Sequence, residues 1–386
     1  MNTTADKIKV NKTYERDSGI ELLKIFAILV IVIAHTCFSL KSPSKYLPTD
    51  DYVVNLATAT TDINRLILAF FVNFVNTSNN IFFICSAWFL LDSKKARKQK
   101  WFFILIEVWF VSVIIFICTY IARKGNIPFK IIIKSLMPTT FASNWYITCY
   151  LLFYPVHVFL NLIVKKLNKY QLLRLAGAMF ILYCGINFVK GTLFFCSNLV
   201  LWITFYFVIA YMKLYMSEFA NSKKANIIML IICVACYAGI ILVINFLGLR
   251  ISFFQNKLFY FRLNCNPFML MIAIALFNIM RRLTFKSKVI NYISSLSLLI
   301  YIIHENINLR NFLRPSIWNY IHKTFGYSHL ALKAFCFGIL VFISTLICAA
   351  LYDISLRKLV KKLSGILYSL LRKIYLSIEK KLLMIK

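Results

Sequence analysis

The sequence predicts an all-α, polytopic membrane protein with about ten transmembrane helices and both termini in the cytoplasm, and three observations predict it. Hydrophobic residues make up 61% of the 386-residue chain, whereas soluble domains carry about 45–50%. Only 15% of the residues are charged, against about 25% in an ordinary domain. The apolar residues gather in runs that approach the roughly 20 residues needed to cross about 30 Å of hydrocarbon. No polar remainder is long enough to form a separate soluble domain, so the two or three domains that length alone suggests are overruled.

The spans are expected in order at 19–40, 63–91, 101–121, 145–164, 172–189, 199–212, 227–246, 268–280, 290–304 and 330–351. Basic segments at 92–100, 165–174, 213–224 and 281–289 separate them in alternate pairs. The second run is long and carries the polar stretch Asn76 to Asn80, which predicts an interfacial helix followed by a shorter span. An amino-terminal segment (1–18), a transmembrane domain (19–352) and a basic tail (353–386) organise the chain. The first segment is polar and no small-residue cleavage site follows the first apolar run, so a cleaved signal peptide is not expected.

Orientation follows from charge. The chain holds 45 Lys and Arg against 13 Asp and Glu, a formal charge of +32. Placing the amino terminus inside puts Lys and Arg on the cytoplasmic side by roughly two to one, the bias expected of membrane topology. The same placement argues against nucleic-acid binding, because the charge lies between apolar runs and forms no groove-lining patch. The tail from Arg357 alternates basic pairs with Leu, Ile and Tyr, which reads as an amphipathic helix on the anionic inner leaflet or as a solvated helix extension. The 11 cysteines lie mainly in apolar segments and read as small hydrophobes, including the pair Cys233 and Cys236. Cys196 and Cys265 both fall in segments placed outside, which leaves a disulfide open.

The first span carries Glu21, Lys24 and His35. Ionisable groups inside a bilayer are costly and mark function. Glu21 and Lys24 are spaced to pair on one helix face. Lys24 and His35 are eleven residues apart, so they point the same way to within about 20° and lie about 16 Å apart along the axis. A cation near the cytosol suits donor phosphates, and an imidazole deeper in suits a general base. Snorkelling of Lys24 and a packing role for His35 fit the same pattern.

The run from Glu21 through Lys24 to His35 (ELLKIFAILVIVIAH) resembles the first helix of the acyltransferase family 3 membrane enzymes, in which Arg or Lys, ten residues and His recur. The segment Phe82 to Trp88 resembles the family's Phe-Phe-x-x-Ser-Gly, with Ala87 in place of Gly. Arg97 to Lys100 is similar to its Arg-x-x-Arg, Trp145 through Tyr150 to Pro155 to its fourth helix, Asn266 and Pro267 through Phe277 to a later run, and Tyr301 to His304 to its Tyr-Leu-Ile-His. The resemblance covers 16–305 in order. It implies a ten-helix acyltransferase that takes its acyl group, acetyl above all, from cytoplasmic acetyl-CoA or another acyl-CoA. The acceptor would be a hydroxyl of a surface polysaccharide or its lipid-linked precursor, in a bacterial inner membrane. His35, with Glu21, would be catalytic. Lys24, Arg97 and Lys100 would hold the donor phosphates, and Ser86, Trp145, Tyr301, His304 and Glu305 would bind substrate.

The residues alone leave other roles open. Arg97 and Lys100 also serve as topology signals, His304 and Glu305 as a helix cap, and His157 as a packing residue. His322 and His329 sit among aromatics that suit either sugar stacking or an interfacial belt. No Walker loop, Gly-x-Ser-x-Gly elbow, His-x4-Asp pattern or zinc spacing is present, so no metal is expected. A transporter of lipid-linked sugars is the alternative class; it has no evident need for an imidazole aligned with a phosphate clamp.

Overall fold

The computed structural model describes residues 17–41, 54–190, 196–260 and 262–383. Sixteen α-helices and no strand occur among them: α1 Ser18–Lys41, α2 Ile63–Leu90, α3 Lys98–Ala122, α4 Phe129–Leu136, α5 Trp145–Lys166, α6 Lys169–Phe180, α7 Ile186–Lys190, α8 Asn198–Tyr215, α9 Ser217–Asn221, α10 Lys223–Gly248, α11 Pro267–Met280, α12 Lys288–Ser295, α13 Ser297–His304, α14 Arg314–Phe325, α15 Leu330–Ser355 and α16 Arg357–Leu383. A π-turn joins α6 to α7, making one rod from Lys169 to Lys190. Among the described residues, eight helices are long and apolar enough to cross a membrane. The eighth and ninth expected spans are the shorter helices at Pro267–Met280 and Lys288–His304.

Contacts at the two ends fix how the helices alternate. At the basic end the Ser18 N–H donates to the Phe285 carbonyl, Lys213 pairs with Asp92 at 2.7 Å, and Arg281 donates to the Ala220 carbonyl. At the opposite end the Tyr327 hydroxyl donates to Asp62, and Thr60 and Asn245 exchange hydrogen bonds. The helix starts carry their own caps: Asp62, Asn168, Ser197, Ser222, Asn266 and Ser287 each accept from a backbone N–H of the first turn, satisfying donors that a helix start leaves unpaired.

α1 is the hub, packed against α2, α11, α12, α13, α14 and α15. Its middle, from Ala27 to Ala34, is buried but for Leu29. α15 reaches it closely because Gly338 has no side chain; a Cβ there would stand 2.9 Å from the Ile33 Cα.

α2 departs from expectation. It is one continuous helix, and the polar stretch does not break it. Asn73 and Asn76 are buried and donate to the carbonyls of Leu258 (2.7 Å) and Arg262 (2.6 Å). Asn73, one turn before the polar run, and Asn76, at its start, thus satisfy two backbone acceptors of a distant segment in an apolar setting. Cys196 and Cys265 are both free thiols; Cys265 is buried and its carbonyl accepts from the Cys184 thiol. α16 begins at Arg357 and packs along α3, while one of its faces leaves Leu363, Ile366, Leu370 and Ile374 exposed.

Candidate functional site

α1 delivers His35 to the point where α13 ends. His35 Nδ1 lies 3.1 Å from His304 Nε2 and 3.1 Å from Glu305 Oε1. The two imidazoles stack, with ring centres 5.3 Å apart. His304 Nδ1 sits 2.8 Å from the Ile300 carbonyl oxygen, which can only accept. That nitrogen therefore carries the proton, and His304 Nε2 offers its lone pair to His35. His35 must donate from Nδ1, which leaves the lone pair of its Nε2 free for a proton from elsewhere. A backbone carbonyl thus sets the tautomer of both rings.

Glu305 completes the cluster. It is 7% exposed, and its two oxygens are taken by Arg314 at 3.1 Å and Arg310 at 3.4 Å as well as by His35. The carboxylate faces the ring that would become positive on accepting a proton, and the guanidiniums keep it ionised and in place. His35, His304 and Glu305 also present metal-ligand atoms within 4.8 Å of one another. With two guanidiniums already on the only carboxylate, a divalent cation would enter against positive charge at low dielectric. The arrangement favours a proton relay over a cation seat.

Below this cluster, toward the basic end, a cavity of about 470 Å³ runs up α1. Lys24, Lys100 and Arg357 line it near the basic end, and Ile31 and Tyr301 close it. Ile31 is one turn before His35, and the Tyr301 ring lies edge-on to His304 with centres 5.6 Å apart. Ser86, Asn79, Tyr146 and Tyr150 supply further polar groups. Lys24 pairs with Glu21 at 2.6 Å. Glu107, fully buried in the middle of α3, pairs with Arg357 at 2.9 Å.

A second, wider cleft of about 1680 Å³ lies between the start of α3 and α16. Arg97, Lys98, Lys358, Lys361 and Arg372 line it with the aromatic rings of Phe102, Tyr368 and Tyr375. Lys100, Phe103 and Arg357 belong to both spaces, so the cleft and the cavity adjoin.

The structure therefore brings His35, His304 and Glu305 into one cluster. It brings Lys24, Ser86, Tyr301 and Lys100 into the cavity below, and Arg97 into the adjoining cleft with Lys100. Glu21 touches the site through Lys24. Trp145 does not line the cavity; it packs on Tyr146, which does, with ring centres 5.6 Å apart. His157 is buried and its Nδ1 contacts the Tyr154 carbonyl. Sequence reasoning passed over Glu107, Arg310, Arg314 and the basic face of α16. An acid within an apolar 25-residue helix was a signal for Glu107. The arginines carried none, since they read as loop residues.

The chain matches the model of acyltransferase family 3, described as an acyltransferase domain, over residues 17–354. No match is found among the curated proteins or among the solved structures. The matched region holds the His35 cluster and, Arg357 apart, the lining of the Lys24 cavity, whereas α16 follows it.

Proposed function

The chain belongs to acyltransferase family 3 and is a multi-pass membrane acyltransferase, and from that premise we propose that it moves an acetyl group from cytoplasmic acetyl-CoA to a hydroxyl of a surface polysaccharide or its lipid-linked precursor. The basic end faces the cytoplasm of a bacterial inner membrane, with both termini there, in accord with the excess of Lys and Arg at that end.

The donor's nucleotide and phosphates occupy the cleft between α3 and α16. Several cations are needed there because one lysine cannot offset several phosphate charges. Arg97, Lys100, Lys358, Lys361 and Arg372 supply them, and Tyr368 and Tyr375 offer faces for the adenine. The pantetheine arm enters the adjoining cavity past Lys24 and carries the thioester toward Tyr301 and His35. The eleven-residue spacing on α1, about 16 Å, suits an extended arm.

His35 acts at Nε2. It takes the proton from the acceptor hydroxyl as the oxygen attacks the thioester carbonyl. The C–S bond breaks, the thiolate leaves, and the proton passes to it, giving an O-acetyl ester and free coenzyme A thiol. His304 and Glu305 hold His35 in the required tautomer and stabilise its transient positive charge. Ser86 lies in the donor cavity, with no role in the proton transfer.

The observation that carries this reading is the convergence of His35, His304 and Glu305 one turn above a cavity that opens onto a basic cleft. The test is mass spectrometry of surface glycan from cells with and without the gene, paired with thiol release from acetyl-CoA by purified protein. Gene-dependent acetyl groups and acceptor-dependent thiol release are expected. An unchanged glycan and no thiol release would refute the reading.

A further inference from the structure

An apolar groove of about 830 Å³ runs between α3 and α15 and reaches His304 of the histidine cluster. Ile114, Ile115, Cys118, Leu340, Val341 and Cys348 form its walls. Its rim is open to the surroundings of the bundle, where Ile117, Leu340, Ile347 and Leu351 are exposed. In a membrane these residues meet lipid, so the groove is entered sideways from the bilayer. His304 and Arg314 form its floor.

The polar groups at that floor are incompletely matched. Arg314 is 4% exposed, and Nη2 donates to Glu305 while Nε and Nη1 have no acceptor. Asn308 Oδ1, also on the groove, is buried without a partner; the Tyr352 hydroxyl, likewise unpartnered, lines the groove farther along α15 toward the basic end. A buried donor left unpaired is costly, and more so when the group is charged. The charge is unbalanced as well: among the described residues Glu305 alone faces Arg310 and Arg314, while Arg123, which donates to the Asn126 carbonyl and stacks over Phe312 at 4.1 Å, adds a second guanidinium to the groove lining. Such a floor lacks an anion with several acceptor oxygens, and such walls lack a hydrocarbon chain.

We propose that the groove seats the acceptor as a lipid phosphate: a long hydrocarbon chain between α3 and α15, a phosphate on Arg314 and Arg123, and the attached sugar turned toward His304 and His35. This rests on the acyltransferase reading above and names its acceptor class. Donor and acceptor then meet at the histidine pair, the coenzyme coming from the basic end and the lipid from within the bilayer. A free sugar phosphate would leave the apolar walls unfilled, and an uncharged lipid would leave Nε and Nη1 of Arg314 without acceptors.

The test uses the full chain in neutral phosphatidylcholine vesicles with a long-chain isoprenyl phosphate carrying a diazirine on its chain, the matching diazirine alcohol, and inorganic phosphate as competitor. Photoadducts from the phosphate probe are expected on the α3 stretch 111–123 and the α15 stretch 337–352, at least fivefold above those from the alcohol. Excess inorganic phosphate should leave them in place. Ser344→Trp, which fills the groove, should remove them, and Cys236→Trp on α10 serves as a control that keeps them. Adducts elsewhere, or equal labelling by the alcohol, would overturn the proposal. In the transfer assay Ser344→Trp should raise KM at least tenfold for an acceptor on a long isoprenyl chain while leaving KM for acetyl-CoA unchanged. Groove labelling without any acyl transfer would sink the acyltransferase reading and spare the lipid site; transfer without groove labelling would do the reverse.

Discussion

His35 Nδ1 and His304 Nε2 lie 3.1 Å apart, and the Ile300 carbonyl, 2.8 Å from the other nitrogen of His304, decides which ring donates. Residues 269 positions apart are thereby joined into one relay whose free end is His35 Nε2. His304→Ala removes the acceptor that fixes this tautomer. The expected result is a fall in kcat of about 10²-fold, within the range attributed to positioned acid–base groups, with KM for acetyl-CoA unchanged in steady-state assays.

Glu305 holds charge on three sides, so its loss should be felt in both activity and folding. Glu305→Ala leaves Arg314 buried without its carboxylate, and removing one partner of a buried pair costs about 3–5 kcal/mol. A lowered unfolding temperature in detergent is expected, together with a loss of kcat. Glu305→Gln, which keeps the shape, should recover part of the stability and little of the rate.

Glu107 and Arg357 tie α16 to the middle of α3 at 2.9 Å. Arg357→Ala strands a buried carboxylate and should destabilise by about 3–5 kcal/mol, with Glu107→Gln in the same chain restoring part of it. If α16 forms one wall of the donor cleft, Lys358→Ala combined with Lys361→Ala should raise KM for acetyl-CoA about tenfold and leave kcat within a factor of two. Acetyl-CoA titration of the double variant checks this separately from stability.

Much of this was legible in advance, and unevenly. The first helix reads directly, because eleven residues bring Lys24 and His35 onto one stripe by helical geometry alone. The His304–Glu305 pair was visible as a polar end to an apolar run, but its meeting with His35 depends on how α13 and α1 pack, which no local pattern encodes. The stretch from Asn76 misled because the partner of Asn76, the carbonyl of Arg262, lies in a distant segment. The tail's amphipathic period was plain, whereas the cleft its basic face lines was not.

Gly338 permits α15 to lie against α1 beside the relay. Gly338→Val places carbon atoms within contact distance of Ile33 and should cost about 1–3 kcal/mol by overpacking. Because the displaced helix carries one wall of the lateral groove, activity on a lipid-linked acceptor should fall further than thiol release with a soluble one. Thermal unfolding and the two assays together measure this.

The most direct test of the account is transfer of acetyl from acetyl-CoA to acceptor by purified His35→Ala protein, measured beside its acetyl-CoA affinity. A fall in kcat of about 10²–10⁴-fold is predicted, with the unfolding temperature and donor affinity kept at wild-type values. Transfer that persists within a factor of two would contradict His35 as the base.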